Sequence, residues 1–329
     1  MATDAASAPG LSFPRDTFAR LTPGPFLHAH LKRPDAVRPN GRLPTEFRTP
    51  IVNTGSLTHT NGSAVVRSGD TAVVCGVRAE LLMADNVAHP PDDHVPHEDL
   101  AERLGLFVPN VELNTGCSPA HMPGNPPSAQ AQSLSYRILS LLHDSHIVNV
   151  SDLTIKYQEP AANDDVPTDD PKVVTKAYWV LYLDIICIAF DGNILDTAWI
   201  AVLAALRDTV LPEASWDPDP ALVLCSPTDS LKLQLNGLPI ASTFAVFSSV
   251  SSLEEGRNAQ SWILADPDSF EEDVSHESLT VCVVAEGPRV DVLRIQHGGG
   301  CYIGEDAMDT CMGLVAERYR TLKESLLKL

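Results

Sequence analysis

Basic residues are scarce in this chain: 23 lysines and arginines stand against 43 aspartates and glutamates, a formal net charge of −20. A field of that sign repels polyanions at long range. It argues against gripping nucleic acid by global charge and leaves room only for a basic partner or a local basic strip. Paired cysteine motifs are also missing. The seven cysteines (Cys75, Cys117, Cys187, Cys225, Cys282, Cys301 and Cys311) are odd in number and widely spaced, with no C-x-x-C, and several sit in apolar runs such as "AVVCGV" and "DIICIAF". Such thiols behave as small hydrophobes, and the pattern reads as that of a reducing compartment. No apolar run reaches the ~18 residues of a membrane span. The opening "MATDAASAPGLSFPRD" has neither a basic nor an apolar leader region, so neither secretion nor membrane insertion is expected. A G-x-S-x-G elbow is absent too, so "HGGG" at positions 297–300 reads as a flexible lead-in to the last helix rather than an oxyanion loop.

What is present is the composition of a folded protein, 44% hydrophobic over 329 residues, enough for one large domain or two ordinary ones. Residues 18–31 are weakly helical and interrupted by "TPGP". The β-branched runs "SAVVRS" and "TAVVCGVRAE", joined at Gly69-Asp70 and preceded by the turn "THTNGS", predict three antiparallel strands. Residues 83–127 are polar and proline-rich and read as a loop. From Ser128, a possible N-cap, Ala131, Leu134, Ile138, Leu141 and Leu142 recur at helical spacing. "TIKYQ" and "KAYWVLYLDIICIAF" read as strands flanking a loop over 158–174. Its "EPAANDDVPTDDP" has too little apolar surface to order itself. A turn at Asp191-Gly192-Asn193 then leads into a helix. "IASTFAVFSS" with "SWILADPD", looped over 248–261, and "SLTVCVVAEG" with "VDVLRIQ" predict two further hairpins. A last helix carries Met308, Cys311, Met312, Val315, Tyr319 and Leu322 on one stripe. Two successive sets of antiparallel strands, each followed by helices, predict an α+β fold with internal pseudo-symmetry.

Two clusters suggest chemistry and are better explained without it. His89, Asp92, Asp93, His94, His97 and Glu98 could hold a divalent metal by type. Three prolines and no regular period point instead to a solvated loop, and no metal or cofactor is expected. Asp184, Asp191 and Asp196 could form a Mg²⁺-binding group. Taken singly, Asp196 complements a helix dipole and Asp191 before Gly192 is turn chemistry.

The run "RPNGRLPTEFRTPIVNTGSLTHTNGSAVVRSGDTAVVCGVRAE" resembles the N-terminal signature of the ribonuclease PH superfamily: R-P-D-G-R, then E-x-R, G-S, G-x-T and a valine-rich strand. The resemblance continues through "LDIICIAFDGNILDTAWIAVLAAL", "STFAVF", "ILADPDSFEED" and "LTVCVV", covering residues 38–329 and leaving 1–37 as an extension. It implies a ribonuclease PH fold, duplicated β-α units like the second domain of ribosomal protein S5. Within the superfamily the chain looks most like the non-catalytic ring subunits of the eukaryotic RNA exosome. That likeness implies a nuclear, nucleolar and cytoplasmic protein. Its implied partners are other ribonuclease PH-like subunits, KH-type and OB-fold cap proteins, 3′-to-5′ nucleases, and RNA in a shared channel.

The same resemblance implies where chemistry would sit. Active members hold the attacking phosphate with a D-A-G-[ST]-R turn at a helix N-terminus, and here the turn reads Asp191, Gly192, Asn193, Ile194, Leu195. Aliphatics at Ile194 and Leu195 cannot replace a hydroxyl and a bidentate guanidinium. The paired arginines that clamp RNA correspond to Ala129 and Gln130, and the acidic segment that assists the leaving oxygen corresponds to Ser242 and Thr243. Losing all three implies no catalysis. Arg38, Arg42, Arg67 and Arg78 remain as candidate RNA contacts. The rival expectations are an active phosphate-dependent exoribonuclease and a protein-binding adaptor on the same fold.

Overall fold

The computed structural model of the chain describes residues 14–87, 99–119, 121, 128–159, 173–248, 261–275, 277–286, 289–300 and 303–327. Its first sheet grows from the valine-rich segments, because β-branched side chains fit a pleated, half-buried surface. Strand β1 (Pro50–Thr54) pairs antiparallel with β2 (Gly62–Ser68), which turns at Gly69-Asp70 into β3 (Thr71–Met83). The three predicted strands are therefore present.

Residues 83–127 hold more order than a loop. They contain α3 (Leu100–Leu104) and the strand β4 (Phe107–Leu113). Phe107 and Val111 point inward while Val108 and Glu112 are exposed. Pro109 hides the alternation in the sequence, and it is tolerated because β4 has a neighbour on one side only. That neighbour is β6 (Val173–Ala189), which β4 joins in parallel, the sole parallel pairing among the described strands. β6 also pairs antiparallel with β3 and with β5 (Thr154–Gln158), giving the order β1-β2-β3-β6-β4 with β5 at the start of β6.

Between β4 and β5 lies α4 (Ala129–Ser145). Ser128 caps it by accepting a hydrogen bond from the Ala131 N–H at 3.2 Å, and the five periodic apolar residues form its buried stripe. After β6 comes α5 (Ile194–Asp208), buried continuously from Ile194 to Leu206, so it is a core helix rather than an amphipathic one. It packs on β2 and β3 on one side. The approach is close: a Cβ on Gly62 would lie 2.5 Å from the Ala205 carbonyl oxygen, so β2 meets α5 there only through glycine.

A hairpin unseen in the sequence follows: β7 (Val210–Asp217) with β8 (Leu222–Lys232), mostly exposed along β8. The second sheet then repeats the scheme of the first. β9 (Ile240–Ser248) and β10 (Ser261–Ala265) are joined across a masked stretch, followed by α6 (Ser269–Val274), β11 (Glu277–Glu286) and β12 (Arg289–Gly298) in the antiparallel order β10-β9-β11-β12. α5 reaches this sheet at β9, and α7 (Glu305–Leu327) closes over β11 and β9. On α7, Cys311, Val315, Tyr319 and Leu322 are buried as the stripe predicts. The extension forms α1 (Arg15–Leu21) and α2 (Pro23–Leu31), broken at Thr22 as "TPGP" predicts. Leu27 and Leu31 of α2 make a small separate core with Ala245, Phe247 and Leu264. The metal-like cluster at 89–98, most of the acidic insert and the 249–260 loop lie outside the described residues.

Candidate functional site

The turn after β6 sets the site. Gly192 takes φ +72°, and a Cβ there would lie 2.3 Å from the Asp268 carbonyl carbon, so the turn is pressed against the loop before α6. Asn193 follows in the left-handed conformation as the N-cap of α5, yet its side chain caps nothing. Its amide donates instead to Asp196 Oδ2 at 3.0 Å and to Asp266 Oδ1 at 2.6 Å. A helix start of this kind leaves unpaired N–H groups and a positive dipole end, which attract an anion. The anion here belongs to the protein: Glu272 Oε1 on α6 accepts the Asn193 backbone N–H at 2.8 Å. Ile194 and Leu195 are buried, 5% and 3% exposed, and face the core rather than a ligand.

Around this turn the charges are paired. Asp266 holds Arg48 in a fork, Nε to Oδ2 and Nη2 to Oδ1 both at 2.8 Å, while Arg48 Nη1 donates to the Asp191 carbonyl at 2.8 Å. Asp196, 1% exposed, accepts from Arg318 of α7, from the Thr243 N–H at 3.0 Å and from the Thr243 hydroxyl at 2.7 Å. The Thr243 hydroxyl also meets Thr280 Oγ1 at 3.0 Å, to which Arg137 of α4 donates at 2.9 Å. Burial opposes ionisation of Asp266, but the hydrogen bonds and charge of Arg48, with Arg318 and Asn193, outweigh it and hold the carboxyl at about 2. Glu272 goes the other way. Burial, with Asp196 and Asp266 adding to it, pushes its carboxyl up to about 7 against the Asn193 N–H and Arg48.

The site residues expected from sequence separate into three groups. Asn193, Ile194, Leu195 and Thr243 converge around Asp196. Ser242 is buried beside them on β9, whereas Ala129 and Gln130 open α4 on the surface. The arginines expected to touch RNA do not form a strip. Arg38 is 1% exposed and spends its guanidinium on Glu271 and on the carbonyls of Leu43, Pro44, Glu46 and Ala265, because it pins the "RPNGR" turn to α6 and β10. Arg42 donates to the Asp266 carbonyl at 2.9 Å, with its side chain 15% exposed. Arg67 and Arg78 are exposed and paired with Asp70 and Glu80, and Arg78 lies over Tyr182. Asp184 is exposed on the outer face of β6 and does not join Asp191 and Asp196. His297 and Gly298 are part of β12, paired with Leu279 and Ser278.

Sequence reasoning missed Arg48, Asp266, Glu272 and Arg318, which do most of the holding. Their signal was present in "EFR" and "ILADPDSFEED", but which acid meets which base is decided by chain separations as large as that between Arg48 and Asp266.

Comparison with known proteins places this arrangement. The sequence profile of the 3′ exoribonuclease family, domain 1 (RNase PH), matches residues 46–212. The chain is 33% identical over 309 residues to the exosome complex component rrp43 of Schizosaccharomyces pombe, covering 94% of this chain and 97% of that protein. It is 30% identical over 293 residues to the exosome complex component Rrp42 of Methanopyrus kandleri, covering 88% and 92%. Among solved structures, the Archaeoglobus fulgidus exosome with RNA bound to the active site has a chain of the same fold, with TM-score 0.65 and 22% identity over 92% of this chain and 96% of that one. An archaeal exosome core gives 0.63 at 22% identity, over 95% and 99%. A signature at the start, a helix-capping turn at the centre and near full-length likeness to named relatives agree, and this chain belongs to the RNase PH, or 3′ exoribonuclease, family.

Proposed function

We propose that the chain is a non-catalytic subunit of the six-membered ring of an RNA exosome, forming part of the channel wall through which RNA reaches a nuclease held elsewhere. One observation carries the non-catalytic part: the carboxylate of Glu272 occupies the helix start where an attacking phosphate would have to sit, beside Ile194 and Leu195. A dianionic phosphate would meet negative charge and aliphatic walls where it needs a hydroxyl and a guanidinium. Relatives named as exosome components in S. pombe and M. kandleri support the ring reading. The partners it calls for are other RNase PH-like subunits, KH-type and OB-fold cap proteins and 3′-to-5′ nucleases, in the nucleus, nucleolus and cytoplasm.

The test is direct. A 3′-tailed oligoribonucleotide incubated with the chain, phosphate and Mg²⁺ is expected to yield no nucleoside diphosphate. The double variant Ile194→Thr with Leu195→Arg is expected to stay inactive as well, because Glu272 remains and Ala129 and Gln130 supply no clamp. Product that scales with protein and requires phosphate would sink the reading in favour of an active exoribonuclease. Affinity capture from cells followed by mass spectrometry separates a ring subunit from an adaptor: RNase PH-like partners must come down with it.

A further inference from the structure

At the opposite end of α5 from the filled turn, a cavity of about 440 Å³ opens between the last turns of α5 and α7 and the chain joining β8 to β9. Arg207, Lys232 and Lys323 line it, with Leu233, Leu238 and Tyr319 as part of its apolar wall, and no carboxylate is among its lining residues. In a chain with 43 acidic and 23 basic residues that composition is unusual. Arg38, Arg42, Arg48, Arg67, Arg78 and Arg318 each face a carboxylate, whereas none of these three cations makes an ion pair among the described residues.

Structural duties account for part of the set. Arg207 Nη2 donates to the Leu327 carbonyl at 3.3 Å, tying α5 to the end of α7, and the Lys323 ammonium lies 5.5 Å from the Tyr319 ring centre. Lys232 is exposed, and its ammonium has no protein acceptor among the described residues. Three like charges around a recess with apolar walls repel one another, and an anion in the recess turns that repulsion into attraction. The volume lies within the roughly 300–1,000 Å³ of small-ligand sites. It can take an anionic group together with an apolar or planar body.

We infer that this cavity is an RNA subsite, holding a backbone phosphate of a single strand between Arg207, Lys232 and Lys323 with the attached nucleoside against the leucine wall. It is distinct from the turn at Asn193: α5 has 15 residues, so the two lie about 22 Å apart along its axis. The choice of RNA over an acidic protein segment rests on the exosome reading above; the charge argument does not.

The experiment is a titration of the full chain into a fluorescein-labelled oligouridylate at about 20 mM salt, where an acidic protein's local contacts are still measurable. The expected result is weak binding that Lys232→Gln with Lys323→Gln lowers about tenfold, with the salt slope falling by about 1.4 for two lost phosphate contacts at ~0.7 each. Arg67→Gln with Arg78→Gln, which removes two exposed but paired arginines, should leave the affinity as it was. Both lysines lie at the surface, and thermal melting confirms that the variant folds. Arg207→Gln alone provides a second variant and is expected to weaken binding severalfold. Unchanged binding by the lysine variant, or an equal loss in the arginine variant, overturns the assignment. Displacement of the RNA by polyglutamate at equal charge concentration also overturns it, by making the cavity a receptor for an acidic peptide. Failure of the exosome reading would show itself separately, in capture of the unaltered chain without ring subunits.

Discussion

Asp196 shows what became of this helix start. It lies in the first turn of α5, where a carboxylate complements the dipole, and the sequence supports that role alone. The structure adds Arg318, Asn193 and both polar groups of Thr243 as partners, and Arg318 in turn stacks 4.3 Å from the centre of the Phe47 ring. Asp196→Ala would strand a buried guanidinium, and removing one member of such a pair costs about 3–5 kcal/mol. Urea unfolding should report that loss as a lower midpoint at unchanged slope; a change below ~1 kcal/mol would mean that water replaces the partner. Glu272 gives a second prediction through its proton. Unfolded, a glutamate titrates near 4.3; folded, burial above all pushes this one up to about 7. The folded state therefore binds the extra proton, and the stability linked to Glu272 is complete below about 4.3 and lost as pH rises through about 7. Asp266, held at about 2, acts outside that window, since its contribution disappears only as pH falls toward 2. Glu272→Gln keeps an oxygen for the Asn193 N–H and removes the titration. Its stability relative to the parent should climb between pH 4.5 and 7.5 by on the order of 1–3 kcal/mol. Thermal melts of both proteins across that range test it, and a constant difference would show that Glu272 is solvated and free to ionise.

Elements differ in how plainly the sequence announces them, and the reason is where their partners lie. α4 and α7 were legible because one face of each is buried and the other wet, so period and cap both appear in the local sequence. β2, β3, β9 and β11 were legible from β-branched runs. β4 was not, since Pro109 and an exposed alternate face leave only Phe107 and Val111 as signal. The β7-β8 hairpin was hidden for a related reason: most of β8 is exposed, so its pairing rests on backbone hydrogen bonds that leave no hydrophobic pattern. The site was half legible. The turn, the aliphatics and Thr243 could be placed, but Glu272 and Arg318 come from elements whose docking no local pattern fixes. The N-terminal helices offer a test at this scale. Leu27 is fully buried against Phe247 and Leu264, in a cluster separate from the main core. If α2 is part of the cooperative unit, Leu27→Ala should cost about 2–5 kcal/mol, the usual range for a buried leucine. If it docks and undocks independently, global unfolding will shift by less than ~0.5 kcal/mol while hydrogen exchange in α2 rises.

For the whole molecule the governing quantity is charge. With 43 acidic and 23 basic residues, the free chain presents a repulsive field to RNA beyond a Debye length of about 8 Å at physiological salt. The fold tightens this constraint by turning basic residues inward. Arg38, Arg48 and Arg318 are buried or nearly so and neutralised by Glu271, Asp266 and Asp196. A single local set of unpaired cations could contact only a few phosphates, and each contact adds little once counterions are abundant. In a closed ring the arithmetic changes, because a strand held by neighbouring subunits meets each further site at high effective concentration, and weak contacts multiply. The free chain should therefore show no measurable RNA affinity near 150 mM salt, and binding should emerge when it is assembled with basic partners. Anisotropy titrations of one labelled oligoribonucleotide against the free chain and the reconstituted ring, each repeated at several salt concentrations, decide the matter. Submicromolar binding by the free chain that resists salt would overturn this account and make the protein an RNA binder in its own right.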